Sequence, residues 1–108
     1  MTVNELCTSC SFEEICVPDG DNEVSGAYIG DLLSWVMGRA NEDNAWITIM
    51  NNINVIAVAS LSDVACVILA EGVTLDETLK ETAIQKGINF LSSSLPAFET
   101  AQLLFGKV

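Results

Sequence analysis

The sequence contains no histidine and only four basic residues, Arg39, Lys80, Lys86 and Lys107, against 15 acidic residues, so its formal net charge is −11 at pH 7. The missing histidine removes the commonest general base and the commonest metal ligand of proteins. Nucleic acids and anionic membrane surfaces need clustered cations on the protein that binds them. We therefore expect neither a nucleic-acid partner nor a membrane partner.

Long hydrophobic stretches are also missing. The longest apolar run, residues 64–70, is far shorter than the roughly 20 residues that span a bilayer. The first residues, MTVNEL, include an acid and no basic region, which is not the pattern of a secretory signal, so a cytoplasmic protein is expected. The length of 108 residues predicts a single domain, with an N-terminal helix and short strand over 1–22 and a core over 23–108.

Apolar residues, in contrast, are abundant. They make up half of the chain, and the mean hydropathy is +0.41. A domain of this size buries roughly two thirds of the surface that its unfolded chain exposes. The surplus of apolar side chains predicts a buried interface, and hence a homodimer. The core is favoured over that interface as the location of four aromatic residues, Tyr28, Trp35, Phe98 and Phe105.

The four cysteines divide into one isolated residue and one group. Cys66 lies inside the apolar run and is interpreted as a small core residue. Cys7, Cys10 and Cys16 occur in CTSCSFEEIC, a spacing that an iron–sulfur site, a zinc site or a redox pair could use. Three cysteines leave a tetrahedral site one ligand short, so free thiols are favoured and no cofactor is expected. A dimer that shares ligands across its axis remains the alternative.

The first half of the chain predicts short elements. Residues 1–9 predict a helix, because Thr2 can cap it and Glu5 completes a capping box. Residues 13–17 predict a strand that ends at the turn PDGD, and residues 23–29 a second extended segment. Asp31 is the expected N-cap of a helix over 31–40. The apolar stripe of that helix consists of Leu32, Leu33, Val36, Met37 and Ala40.

From residue 46 onward, strands and helices alternate. AWITIM, VACVILA and INFLSS predict strands, and NNINVIAVASLSD, TLDETLKETAIQKG and LPAFETAQLLFG predict helices. In the second of these helices Thr74 and Glu77 form the expected capping box. In the first of these helices Ile53, Ile56, Ala57 and Ser60 are expected to lie on one face. The inner face of the last, which has Pro96 in its first turn, is expected to hold Phe98, Ala101, Leu104 and Phe105.

This alternation predicts the fold class. Successive right-handed crossovers between strands build a parallel sheet with helices packed on it. The run 64–70 is apolar on both faces, as is typical of a central strand covered by helices on both sides. The chain is therefore predicted to be an α/β protein with a largely parallel sheet.

Ligands of open α/β sheets bind where the strand-to-helix loops meet, at the carboxyl edge. The residues expected there are Asn51, Asn52, Glu71, Gly72, Ser92 and Ser93, and Tyr28 and Asp31 complete the set of candidate ligand-binding residues. Two like charges about 6 Å apart repel by roughly 2–3 kcal/mol at an effective dielectric constant near 20. A helix N-terminus returns only about 0.3–1 kcal/mol to an anion. Because carboxylates crowd this edge, tight binding of a phosphate there is disfavoured unless Mg²⁺ or a partner subunit supplies positive charge.

Catalytic motifs are missing. SGAYIGD is not a phosphate-binding P-loop, since it has Asp31 where the lysine should be. The adjacent carboxylates Glu13 and Glu14 point apart on a strand, and no histidine activates a serine nucleophile. No catalytic residue is predicted.

Three segments carry a family resemblance: YIGDLLSWVM (28–37), WITIMNNINVIAVASLSDVACVILAEG (46–72) and GINFLSSSLPAFETAQLL (87–104). They resemble the DRTGG domain family, especially its small stand-alone members, which are related to the N-terminal domain of the HPr kinase/phosphorylase. The resemblance covers most of the chain from about residue 23. It implies an α/β fold like that N-terminal domain, frequent homodimerisation, and a regulatory or ligand-sensing role without catalysis by the domain itself.

The residues that name the family are replaced here. The Asp-Arg pair of the family falls on Asn51 and Asn52. Its Thr-Gly-Gly falls on Ala70, Glu71 and Gly72, so only the last glycine is kept.

The leading functional hypothesis is a non-enzymatic regulatory module that senses a small-molecule effector or docks on a protein partner, as a homodimer. The alternative is a redox or metal accessory module that uses Cys7, Cys10 and Cys16. A third reading, a vestigial kinase fragment, would predict nucleotide binding.

Overall fold

The computed structural model describes all residues, 1–108. Five helices and five strands alternate through most of the chain. Their bounds are α1 Val3–Ser9, β1 Glu13–Cys16, β2 Ala27–Ile29, α2 Leu33–Arg39, β3 Ala45–Thr48, α3 Ile53–Ser62, β4 Cys66–Leu69, α4 Glu77–Gln85, β5 Phe90–Ser92 and α5 Ala97–Leu104. The predicted α/β class and the predicted order of elements are confirmed.

The strands form one sheet in the order β1-β5-β4-β3-β2. β2, β3, β4 and β5 are parallel to their neighbours, and β1 is antiparallel to β5. β4 lies in the middle, and every residue from Val64 to Ala70 is buried. The unbroken apolar run is thus explained by burial on both faces of the sheet.

Helices cover the two faces unequally. Val36 of α2, Val55 of α3 and Ala83 of α4 pack in one cluster with Trp46 and Phe90. Val3 and Leu6 of α1 and Leu104 of α5 pack in a second cluster, with Ile47 and Ile68. Side chains of a strand alternate between faces, so the two clusters lie on opposite sides of the sheet. The strands β2 to β5 follow one another in order, and equal crossovers therefore place α2, α3 and α4 together on one face.

The inner face of α3 differs from the prediction. Val55, Ile56, Val58 and Ala59 are buried, whereas Ile53 is half exposed, at 51%, and Ala57 and Ser60 are exposed. Apolar residues occur all round this helix, so their spacing does not define a single inward direction. Contacts with α2 on one side and α4 on the other decide which residues are buried.

Two helix caps also differ from the prediction. Asp31 does not cap α2: the N-cap position is Leu32, without a side-chain bond. Asp31 Oδ1 instead accepts hydrogen bonds from the Thr48 hydroxyl (2.7 Å) and the Ile49 N–H (3.1 Å). In α4 the cap is Asp76, which accepts from Leu79 N–H at 2.8 Å. A helix capped by Thr74 would begin at Leu75. The helix begins at Glu77 instead, and Leu75 is buried just before it.

The capping box of α1 is confirmed. The Thr2 hydroxyl accepts from the Glu5 N–H at 3.2 Å, and the Glu5 carboxylate accepts from the Thr2 N–H at 2.9 Å. The hydrogen bond from the Thr2 N–H, and to a smaller extent the Thr2 side chain, lower the pKa of the Glu5 carboxyl, because they stabilise its charged form.

Most of the aromatic residues assigned to the core by sequence lie on the surface instead. Trp35 is 52% exposed, Phe98 68% and Phe105 91%, and only Tyr28 is partly buried. In α5 the inward residues are Thr100 and Leu104. Phe98, Ala101 and Phe105 do form an apolar stripe at helical spacing, but it faces outward. The prediction for α5 was right for Leu104, which is buried, and wrong for Phe98 and Phe105, which are exposed. The helix carries apolar residues on two sides, and their spacing alone does not separate the core side from the outer side.

None of the helices is long and apolar enough to cross a membrane.

Candidate functional site

A polar cleft lies at the carboxyl ends of β4 and β5. After β4 the chain passes to α4 on one face of the sheet, and after β5 it passes to α5 on the other face. The two loops therefore lead to helices on opposite faces of the sheet, and the carboxyl edge where this happens is the usual place for ligands in an α/β fold. The crevice has a volume of about 260 Å³ and is lined by Ser11, Glu13, Gly72, Ser92 and Ser94.

The third wall of this cleft comes from the N-terminal part of the chain. Because β1 is antiparallel to β5, Glu13 at its start pairs with Ser92 at the end of β5. Ser11, in the turn between α1 and β1, adopts a left-handed backbone conformation with φ of 56°. The antiparallel edge strand thus adds one carboxylate and one hydroxyl to the edge that carries the strand-to-helix loops.

Backbone hydrogen bonds join the two loops and fix the cleft. Gly72 N–H donates to Ser93 O (2.8 Å), and Glu71 N–H donates to Leu95 O (2.9 Å). The Ser92 hydroxyl donates to Val73 O at 2.9 Å. Glu71 and Gly72 make the turn with φ of 62° and 72°, a region in which glycine alone is free of strain. The retained glycine is therefore needed at a tight, bonded turn.

Four of the eight candidate residues lie at or beside the cleft. Gly72 and Ser92 line it, and Glu71 and Ser93 belong to the same bonded loops. The Ser93 side chain is buried, however, and its hydroxyl lies 2.7 Å from that of Thr100. Ser93 therefore secures the start of α5 rather than facing a ligand.

The other four candidates lie elsewhere on the edge. Asn52 caps α3 through Asn54 N–H (2.9 Å), and Asn51 Nδ2 donates to Thr74 O (3.0 Å). Asp31 bonds to Thr48 and Ile49 after β3. The Tyr28 ring covers Gly30, where an added Cβ would lie 2.9 Å from a ring carbon. Tyr28 and Asp31 are at β2, the opposite end of the sheet from β1, and a binding role for these four stays a prediction.

Three lining residues were not among the candidates: Ser11, Glu13 and Ser94. Ser94 belongs to the run SSS that follows β5, so its position was accessible from the sequence. Ser11 and Glu13 reach the cleft only through the antiparallel pairing of β1, for which the sequence carries no signal.

Comparison with known proteins decides the family. The model of the DRTGG domain matches residues 14–106. The chain belongs to the DRTGG domain family.

A solved structure shares the fold. It contains the CBS and DRTGG domains of the regulatory region of Clostridium perfringens pyrophosphatase, complexed with the activator diadenosine tetraphosphate. Its TM-score is 0.72 at 16% sequence identity, and the match covers 95% of the present chain and 45% of that chain. The DRTGG domain described here therefore spans less than half the length of the chain in that structure. No curated protein sequence matches it.

The basic side chains of this DRTGG domain have partners other than the residues that line the cleft. Arg39 stacks on the Trp35 ring at 3.7 Å, Lys80 lies 3.6 Å from the Glu77 carboxylate, and the Lys107 ammonium lies 4.0 Å from the Cys10 sulfur. None of the residues that line the cleft is basic. The electrostatic argument against a bare anion at this edge therefore applies to the cleft as built.

The three cysteines of the proposed metal or redox motif do not meet at one site, because Cys16 lies on the opposite face of the sheet from Cys7 and Cys10. Cys10 donates to Leu103 O (3.6 Å) on the α5 face of the sheet, whereas Cys16 donates to Ile88 O (3.8 Å) on the other face. Burial raises the pKa of Cys7, Cys10 and Cys16, and raises that of Cys66 to about 12. Raised pKa values reduce the thiolate that metal binding and redox exchange require. No three acidic or cysteine side chains lie close enough to hold a metal ion.

A second hollow lies on the outer face of α5. It is open and apolar, with a volume of about 430 Å³, and is lined by Phe98, Ala101, Gln102 and Phe105. A shallow apolar surface of this kind is typical of association between proteins rather than of small-molecule binding.

Proposed function

We propose that this DRTGG domain is a non-catalytic regulatory module that binds a small-molecule effector in the cleft between β4 and β5 and associates as a homodimer. The observation that carries the proposal is the position of the cleft, at the one point where consecutive parallel strands send their helices to opposite faces. This is the usual place for ligands in open α/β sheets.

The chemistry of the cleft supports sensing rather than catalysis. Glu13 is the only ionisable side chain that lines it, so no second carboxylate is available for paired acid and base steps. The serine hydroxyls have no histidine to activate them, since the chain contains none. Binding without reaction is what such a set of groups supports.

The regulatory region of C. perfringens pyrophosphatase, whose DRTGG domain shares this fold, is complexed with an activator. That complex supports a small-molecule effector for the present chain. At 16% sequence identity the two chains share the fold, and the identity of the ligand does not follow from it.

Homodimerisation is proposed through the outer face of α5. Phe98 and Phe105 are 68% and 91% exposed, and fully burying one such side chain contributes about 1.5–3 kcal/mol. In a two-fold interface each copy presents the same surface, so the phenylalanines of one copy would fill the hollow of the other. A second copy is the partner that matches the apolar character of this surface.

Two measurements test the proposal. Light scattering after size exclusion, at micromolar concentration, should give twice the 11.6 kDa mass of the chain. A thermal-shift panel of nucleosides, nucleotides, sugars and amino acids should contain at least one compound that raises the Tm of the wild type and not that of S94W, which obstructs the cleft. A monomer throughout would refute the dimer, and an unresponsive Tm across the panel would refute the effector.

A further inference from the structure

We propose that the cleft between β4 and β5 binds a neutral ligand with adjacent hydroxyl groups, such as the sugar of a glycoside, and that the Glu13 carboxylate accepts hydrogen bonds from those hydroxyls. The inference rests on the proposed function, because it names the chemical class of the effector at the same site.

The free hydrogen-bonding groups of the cleft define what a ligand must offer. The Glu13 carboxylate, the Ser11 hydroxyl and the Ser94 hydroxyl make no side-chain hydrogen bond within the protein, and Glu13 forms no ion pair. The Ser94 N–H has no backbone acceptor. A carboxylate only accepts, whereas a hydroxyl both donates and accepts. A complete match therefore requires a ligand that carries donors and acceptors side by side.

The negative charge of the cleft restricts the chemical class of the ligand. A phosphate or carboxylate ligand would face Glu13 in the cleft and Glu71 beside it, without a basic residue among the lining groups. An ammonium ligand would donate to the Glu13 carboxylate and to the serine hydroxyls, but it offers no acceptor to the Ser94 N–H. Hydroxyl groups satisfy both requirements without charge.

Size and lining agree with a sugar. The volume of about 260 Å³ lies below the range of roughly 300–1,000 Å³ that is usual for drug-sized ligands. No apolar side chain lines the cleft, so an aromatic base would find no surface to stack on. An acidic side chain that accepts hydrogen bonds from sugar hydroxyls is also a recurring feature of α/β folds that bind dinucleotides.

The chain offers a matched control for Glu13. Glu13 and Glu14 are adjacent in β1 and both exposed, and adjacent strand residues point to opposite faces. E13Q and E14Q therefore remove the same charge from the same strand, but only E13Q changes the cleft.

The test is an amide chemical-shift titration of the wild type, E13Q and E14Q with methyl β-D-ribofuranoside, inorganic phosphate and n-butylammonium. The glycoside should shift the amides of Ser11, Gly72 and Ser94 saturably in the wild type and E14Q. E13Q should weaken this binding about tenfold, the loss expected for a hydrogen bond to a charged group. Phosphate and n-butylammonium should leave these amides unchanged.

Each other outcome contradicts the inference in a recognisable way. Saturable shifts at the cleft from phosphate or n-butylammonium alone would refute the hydroxyl ligand and leave the cleft as an effector site. Equal affinity of E13Q and E14Q for the glycoside would show that the Glu13 carboxylate does not bind it. No saturable shift at the cleft from any of the three probes would refute the ligand class, and the thermal-shift panel then decides whether the effector proposal survives.

Discussion

At the residue scale, the carboxyl edge of the sheet depends on side chains that bond to the backbone of the loops. Asp31 binds the segment after β3, Asn51 binds the loop before α4, and Ser92 binds the loop after β4. Each of these bonds satisfies a backbone group that would otherwise lack a partner in an irregular segment. The edge is therefore held in one conformation before any ligand binds.

The cap of α4 gives a direct test of this description. D76A removes the carboxylate that accepts from Leu79 N–H at 2.8 Å, and loss of an N-cap costs about 0.5–2 kcal/mol. T74A removes the residue that the sequence pattern favours as the cap, and should change the free energy of unfolding by less than about 0.5 kcal/mol. Urea unfolding of both variants measures the difference. A larger loss in T74A than in D76A would show that the helix begins at the earlier capping box.

The buried thiol of Cys66 predicts a loss of stability at alkaline pH. Its pKa is raised from 9.0 to about 12 by burial, so the folded state holds a proton that the unfolded state releases above pH 9. The contribution is complete below pH 9 and is lost as pH rises toward about 12, by up to about 1.4 kcal/mol per pH unit.

Urea unfolding at about pH 8 and about pH 10.5 measures this effect, with C66A as the reference that lacks the thiol. The wild type should lose more stability than C66A over that interval. Equal losses would show that Cys66 ionises freely in the folded protein.

At the scale of elements, one side of α5 packs in the core and the other side forms the proposed dimer surface. Leu104 is buried against the sheet, whereas Phe98 and Phe105 are exposed on the other side of the same helix. Ser93 and Thr100 add a buried hydroxyl pair at its start. One helix therefore connects the cleft loop to the proposed dimer surface, which is a physical route by which an effector could alter association.

Substitutions on the two sides of α5 should act differently. L104A should lower the free energy of unfolding by about 2–5 kcal/mol, because it leaves a cavity in the core. The double variant F98S/F105S should weaken dimerisation at least about tenfold with little loss of monomer stability. Sedimentation equilibrium and urea unfolding measure the two quantities. An unchanged dimer in F98S/F105S would place the interface elsewhere.

The sequence predicts some elements better than others for physical reasons. β4 and α4 were identified because the run 64–70 is apolar throughout, as burial on both faces requires, and because acidic residues at its start and Gly87 at its end mark the helix that follows. The buried faces of α3 and α5 were identified only in part, at Ile56 and Leu104. α3 is apolar all round, and α5 carries one stripe for the core and another for the surface, so periodicity alone cannot choose between directions.

At the scale of the whole molecule, the net charge of −11 opposes association between copies. Salt screens this repulsion, since the Debye length falls from about 10 Å at 0.1 M to about 3 Å at 1 M. The dissociation constant of the proposed dimer should therefore decrease when NaCl rises from about 0.05 M to about 0.5 M. Sedimentation at both salt concentrations checks this. Weaker association at high salt would indicate an interface held by ion pairs instead of apolar contacts.

The strand order explains how much of the site the sequence could predict. Alternation of strands and helices predicts parallel crossovers, and so places Gly72 and Ser92 at one edge. The antiparallel pairing of β1 with β5 joins residues that are far apart in the chain, such as Glu13 and Ser92. Short edge strands carry too few residues for a pattern to specify their partner, so the contribution of Ser11 and Glu13 emerged only in the structure.

Hydrogen exchange tests the central claim most directly, because it locates a ligand without requiring its identity. Exchange is followed by mass spectrometry with and without the small-molecule extract of the cells that make the protein. The account predicts slower exchange in the loops over residues 70–75 and 92–96 and little change in the rest of the sheet. Unchanged exchange in both loops, or protection confined to the outer face of α5, would contradict it.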